Sequence, residues 1–408
     1  MAKSVYQLKC SCNNYPWGKT GSDSLAARLC AETPGTDFKI DESKDYAEMW
    51  MGTYPELPSY VLETGENLQD VIDANAEQLI GKAVLEKFGH SDLPFLPKVL
   101  SIAKALPLQL HPNKELAAKL HEKDPSNFTD PNHKPEIALA LGPFEAFCGF
   151  KPLASIYRLL ELEPLQQFLP KNKESSFTDK SLKAVVKAML EASDEVVAKT
   201  NNSLQRLPIE AFGDDQYILD LLPRLSEQYD KSDNGTLVAL ITMNYMQLNK
   251  GDSIYIPADG IHAYLSGDII ECMARSNNVL NTGFCPRAER NSIDMFTSVL
   301  TFTPHNIEEA LLKPEQFALS TSKGKTLLYA PPMSEFNMIS TELVEGEKET
   351  IEKIAGPSIL IVTQGKGEMK VGEESFTLAE GFVFFIGQGV ETSFQASGHL
   401  QMFRAFVE

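Results

Sequence analysis

A spacing that occurs twice narrows what this chain can fold into more than any other feature. Gly251 is followed after five residues by Pro257, and His262 stands five positions beyond it; Gly381 is followed after five residues by Gly387, and Thr392 stands five positions beyond that. Both copies sit among short apolar runs broken at Gly, MQLNKGDSIYIP in the first and SILIVTQGKGEMKVGEESFTLAEGFVFFIGQGVETSF in the second. Strand, glycine turn and strand in succession specify antiparallel sheet, and many short strands of this kind close into jelly-roll barrels. The spacing therefore predicts two related barrels, one with a histidine at the motif position and one with a threonine.

The 408 residues allow two or three packed units. Residues 1–150 alternate apolar runs with Gly, Pro and Asn, as in YPWGKTG, AEMWMGTYPELPS and LPFLPKVLSIAKALPLQLHPNK, and read as strands with a few helices. KELAAKLHEKD follows the Pro112-Asn113 turn signal and carries Leu116 and Leu120 at helical spacing. From about residue 151 the texture changes. Leu182, Val185, Val186, Met189 and Leu190 lie on one helical face, which predicts a helix over 181–200. Segments 156–162 and 217–225 are similar, and strand character returns over 237–243. The expectation is a mainly β fold of cupin-type jelly-roll barrels. Residues 1–150 and 236–312 are expected to form the first barrel, 151–235 a helical unit, and 313–408 a second barrel that lacks the motif histidine.

Composition removes several classes of function. A formal charge of −19 argues against nucleic acid or an anionic membrane as partner, because both require a basic face. No apolar run reaches the ~20 residues that span a bilayer. MAKSVYQLKCSCNNYPWG has no apolar stretch before a small-residue cleavage site, so a cytoplasmic protein is expected, with a monomer as the default state. Six cysteines are too sparse for a disulfide scaffold and should be reduced. Neither a Walker sequence nor a strand-linked G-x-G-x-x-G is present, so no nucleotide is implied. A small anionic substrate remains compatible with local clusters of Lys and Arg.

Metal chemistry is the positive signal. Gln109 and His111 are two apart on a segment read as strand, so both side chains face the same side. Glu136, in Asn132-His-Lys-Pro-Glu136, would come from a neighbouring strand, and His262 from the motif across the barrel. Two imidazoles, a carboxylate and an amide oxygen suit zinc; manganese, iron, cobalt and nickel stay open on ligand type alone. Lys134, two residues before Glu136, shares its face and is a candidate proton shuttle, because an ammonium beside a dication loses basicity. Glu271 in GDIIE is the other acid–base candidate. Trp17 and Tyr264 are candidates for shaping a pocket beside this centre, and Lys98, Lys104, Arg275 and Arg287 for binding a small anion. His90, His121, His133, His305 and His399 read as structural or surface residues.

Longer segments carry a family resemblance. FLPKVLSIAKALPLQLHPNKELA, NHKPEIALALGPFEAFCGF, AEMWMG, HAYLSGDIIECMA and the early Tyr15-Pro-Trp17-Gly18 resemble, in order and separation, the signature segments of class I mannose-6-phosphate isomerases. The likeness covers most of residues 5–310. It implies one zinc ion per chain on Gln109, His111, Glu136 and His262, the same four residues grouped above. It also implies a helical domain and a metal-free second barrel flanking the catalytic one. The implied reaction interconverts mannose 6-phosphate and fructose 6-phosphate through an enediol, and feeds GDP-mannose synthesis. Two positions depart from the family pattern near the expected substrate. Asn281 stands where members carry an arginine, with Arg287 at a later lysine, and Pro107 replaces a serine before Q-x-H. Arg287 or Arg275 is expected to return a guanidinium to the site. The competing expectation is a cupin paralogue that binds metal and sugar phosphate without isomerising it.

Overall fold

Period-two burial decides where each strand lies. In the strand His262–Ala274, Ala263 and Leu265 pack with the helices while His262 and Tyr264 turn to the other face. Leu108 and Leu110 of the strand Leu108–Leu110 do the same and leave Gln109 facing inward between them. The computed structural model describes residues 3–170 and 176–408. Residues 1–2, at the start of the segment read as lacking a leader, and 171–175, inside the span read as helical, lie outside the described residues.

The first barrel is organised around His262–Ala274. That strand pairs antiparallel with Phe144–Phe150 and Leu108–Leu110 near its start, and with Phe95–Ile102 and Glu136–Ala140 near its end. Its course bends at Gly267, whose φ of +124° and close approach to the Pro143 carbonyl exclude a side chain; a Cβ there would lie 2.6 Å from that oxygen. Leu100, Ile102, Ala138, Ala140, Phe144, Ala146, Tyr264 and Ile269 fill the interior.

The second barrel uses the long strands Ser358–Val371 and Thr392–Phe406, with Glu374–Ala379 and Val383–Ile386 between them. The N-terminal strand Val5–Lys9 joins this sheet rather than the first, pairing Val5 with Ile386. Between the barrels, Val99, Ile137, Leu139, Ile270 and Cys272 pack with Ile361, Val383, Phe385 and Phe403. The mainly β architecture with a helical layer expected from sequence is present.

Helices Leu153–Leu160, Asp179–Glu191, Asp194–Leu204, Tyr217–Gln228 and Asn234–Thr242 share one apolar cluster with the outer face of the first barrel. Two sequence expectations are corrected here. The helix over 181–200 is two helices, because Ala192 is extended and Ser193 caps the second by accepting from the Val196 amide. Residues 237–242 are helix rather than strand, and the strand begins at Met243. Every residue of Asn234–Thr242 is buried, and an apolar run without polar faces shows no period that separates helix from strand.

Thr392 opens its long strand as His262 opens the other. Beside it lies Arg404, 1% exposed, whose Nη1 donates to Thr392 Oγ1 at 3.2 Å and whose Nε donates to Ser358 Oγ at 2.8 Å. Burial pushes its pKa down to about 9. Thr392→Ala removes one of these acceptors, so a loss of about 1–3 kcal/mol is expected in urea unfolding, with metal content unchanged. Loss of bound metal from a folded Thr392→Ala protein would contradict the separation of the two barrels.

Candidate metal centre

The Gly267 bend carries His262 round the barrel to Glu136, the first residue of Glu136–Ala140. His111 follows directly on Leu108–Leu110, fixed by its amide donating to the Ala258 carbonyl at 2.8 Å. One ligand atom from each of His111, Glu136 and His262 lies within 4.8 Å of the others, and all three residues are buried. His111 Nε2 is 3.3 Å from Glu136 Oε1 and His262 Nε2 is 3.7 Å from Glu136 Oε2.

The hydrogen positions follow from the partners. His111 Nδ1 lies 2.7 Å from the Asn278 carbonyl and His262 Nδ1 lies 3.0 Å from the Gly260 carbonyl. A carbonyl oxygen only accepts, so each Nδ1 carries its hydrogen and each Nε2 presents a lone pair. Both Nε2 atoms are buried without a hydrogen-bond partner among the described residues. Burial favours the neutral rings, lowering the pKa of His111 and bringing that of His262 down to about 4. Burial opposes ionisation of Glu136, but the Lys134 ammonium beside it favours the carboxylate, and its pKa is held well below the usual range. Two nitrogen lone pairs thus face a carboxylate among buried residues. Such a set of acceptors fits a divalent cation and matches the donors zinc prefers.

Other predicted residues gather round this centre. Lys134 Nζ is 3.4 Å from Glu136 Oε1, and the Tyr264 hydroxyl donates to Glu136 Oε2 at 3.3 Å. Gln109 is directly opposite His262 in the strand register, and Asn281 is directly opposite Gln109. The three side chains therefore share one face. Asn281 Oδ1 is buried and makes no hydrogen bond among the described residues.

Lys98 and Glu271 face each other across paired strands, with Nζ 3.0 Å from Glu271 Oε2. Glu48 Oε2 is 3.6 Å from the same ammonium and accepts from Trp50 Nε1 at 2.6 Å. Burial opposes the Lys98 charge, but Glu271, Glu48 and Glu136 outweigh it and raise its pKa. Burial pushes the Glu271 carboxyl up to about 7, against the pull of Lys98.

Trp17, Lys104 and Arg287 line a cleft of about 740 Å³, which also holds Pro107 and Arg290. Arg287 is largely exposed and ion-paired with Asp194. Arg275 is not brought to this cleft. It lines another, of about 660 Å³, where it is engaged with Thr53 and Asp92. His121, His133 and His399 bond to Phe128, Glu335 and Glu342, away from the centre.

The comparisons with known proteins agree with this geometry. Residues 5–153 match the model for the phosphomannose isomerase type I catalytic domain, and residues 326–374 the model for its C-terminal region. The mannose-6-phosphate isomerase of Aspergillus fumigatus is 38% identical over 99% of this chain and 96% of its own. That of Saccharomyces cerevisiae is 37% identical over all of both chains. This chain belongs to the type I phosphomannose isomerase family. Among solved structures, a mutant phosphomannose isomerase from Salmonella typhimurium superposes with a TM-score of 0.82 at 26% identity, covering 99% of this chain and 100% of its own. A zinc-bound mannose 6-phosphate isomerase superposes at 0.80 with 25% identity over the whole of both chains.

Within this type I phosphomannose isomerase fold, sequence reasoning missed Asn278 and Gly260, which act through backbone carbonyls that leave no mark in residue type. It also passed over Glu48 and Trp50, although their spacing in AEMWMG already placed them on one strand face. The low histidine pKa values have a consequence for stability. Between about 6.5 and about 4 the unfolded chain takes up protons that buried His262 refuses, so the apoprotein loses stability as pH falls through that window. The thermal midpoint of metal-stripped protein should drop from pH 7 to pH 5, less steeply in His262→Asn. A midpoint constant across that range would contradict the neutral buried rings.

Proposed function

We propose that this chain interconverts mannose 6-phosphate and fructose 6-phosphate, using one zinc ion held by His111, Glu136, His262 and Gln109. The observation that carries the proposal is the pair of buried Nε2 atoms, without a hydrogen-bond partner among the described residues, that lie beside Glu136. Full-length likeness to curated mannose-6-phosphate isomerases supports it over a paralogue that only binds. When bound, the ion supplies positive charge that polarises sugar oxygens next to the reacting carbons.

The chain's own residues supply the rest. Glu271, with a pKa brought to about 7, is matched to taking a proton at one sugar carbon and returning it at the next. Lys98 holds that carboxylate in place from 3.0 Å. Lys134, beside Glu136, is the second proton carrier in reach of the centre. Asn281 offers its side-chain Oδ1, which has no hydrogen-bond partner among the described residues, to a sugar hydroxyl on the face it shares with Gln109. The phosphate goes to the cleft of Trp17, Lys104 and Arg287, where Arg287 exchanges Asp194 for the substrate dianion and Trp17, stacked on Tyr15 at 5.8 Å, forms an aromatic wall. A cytosolic location is supported by six cysteines that are all free thiols. Among the described residues no helix is long and apolar enough to cross a membrane.

Chelator-treated protein given mannose 6-phosphate should form no fructose 6-phosphate until zinc is restored. Zinc-loaded protein that stays inactive would leave the binding-only paralogue in its place. Arg287→Ala should reduce kcat/KM by roughly 100-fold, the size of a lost charge-assisted contact to phosphate. Turnover like wild type would remove Arg287 from the site.

A further inference from the structure

Arg275 was a phosphate candidate by sequence, yet its surroundings give it other work. It is the first residue beyond His262–Ala274, and its amide donates to the Pro94 carbonyl at 2.9 Å, so its backbone is fixed four residues from Glu271. Both terminal nitrogens are engaged. Nη1 donates to Thr53 Oγ1 at 3.1 Å, and Nη2 is 3.4 Å from Asp92 Oδ1 and donates to the Thr53 carbonyl at 3.4 Å. The guanidinium carbon lies 4.7 Å from the centroid of Tyr54.

From Tyr54 a continuous stack leads into the barrel. The Tyr54 and Trp50 rings meet edge to face at 89° with centroids 5.7 Å apart. Lys98 Nζ lies 5.0 Å from the centroid of the Trp50 ring. Trp50 donates its indole hydrogen to Glu48, so the ring has one orientation. Two cations thus bracket two aromatic rings, and the inner one holds Glu271. Tyr54 is 3% exposed and its hydroxyl has no hydrogen-bond partner among the described residues, so the ring is what links Arg275 to Trp50.

We infer that Arg275 is a positioning residue: it clamps Tyr54, which sets Trp50 against Lys98 and thereby fixes the Lys98–Glu271 pair. This deepens the isomerase reading and rests on it only in making that pair act on substrate. The stack itself has an independent readout, because the chain has two tryptophans, Trp17 and Trp50, and Trp17→Phe leaves Trp50 as the sole indole emitter.

In zinc-loaded protein, Arg275→Ala should lower kcat on mannose 6-phosphate by roughly 10-fold, the kinetic size of a partly desolvated cation–π contact. KM and zinc content should stay within about twofold. Arg275→Lys, which keeps a cation over the ring, should recover most of the loss. In the Trp17→Phe background, Arg275→Ala should shift Trp50 emission to the red, and Tyr54→Phe, which keeps the ring, should leave emission unchanged. A rise in KM with kcat intact would overturn the inference in favour of direct phosphate binding. Unchanged Trp50 emission in folded Arg275→Ala, judged by its urea midpoint, would overturn the stack. If zinc-loaded wild type does not turn over mannose 6-phosphate, the isomerase reading fails while the emission result still decides the stack.

Discussion

Between Leu265 and Gly267 the strand His262–Ala274 does two things at once. An irregularity in its pairing with Phe144–Phe150 places Glu145 opposite Ser266 and Ala146 opposite Tyr264, which adds a residue on the longer strand. The backbone then bends at Gly267, where the Pro143 carbonyl leaves no space for a side chain. Before the bend the even-numbered residues His262 and Tyr264 face inward; after it the odd-numbered Ile269 does, while Ile270 and Cys272 pack toward the second barrel. One strand thereby sends His262 and Glu271 into the same interior and covers two outer interfaces with its remaining residues. Without the flip, Glu271 would lie on the outer face and Lys98 would have lost the nearer of its two carboxylates, Glu48 being the other.

The two barrels treat the same motif position differently. In the first, His111, Glu136 and His262 turn two imidazole lone pairs and a carboxylate toward one another, a set that calls for a cation from outside. In the second, Thr392 occupies the position, and the cation is part of the chain: Arg404, buried against the Thr392 and Ser358 hydroxyls. A buried guanidinium held by hydroxyls alone is costly. Its position beside the motif residue puts a cation of the chain itself into that interior, with polar contacts that reach both long strands of the sheet.

Much of this was legible in the sequence, and the limits have physical causes. Gly turns and period-two runs marked the strands, and the motif spacing singled out His262, which the register sets opposite Gln109. The break at Ser193 was signalled by a residue that favours helix N-termini, but the apolar stripe ran on past it. Asn234–Thr242 is buried on every side and its residues 237–241 are an unbroken apolar run, so helix and strand could not be told apart. The pairing of Val5 with Ile386 joins residues from opposite ends of the chain, which no local pattern encodes. The roles of Asn278 and Gly260 rest on carbonyls that every residue has. Arg275 and Arg287 looked equivalent at six residues either side of Asn281; only the fold shows one locked against Tyr54 and the other open to a cleft.

The central claim is that neutral His111 and His262, each held through Nδ1 by a carbonyl, turn their Nε2 lone pairs with Glu136 onto one divalent ion. X-ray absorption at the zinc edge of protein loaded with one equivalent tests it directly. The account predicts two imidazole scatterers at about 2.0–2.1 Å with oxygen completing the shell and no sulfur. A sulfur shell near 2.3 Å, or a spectrum with no imidazole contribution, would contradict it.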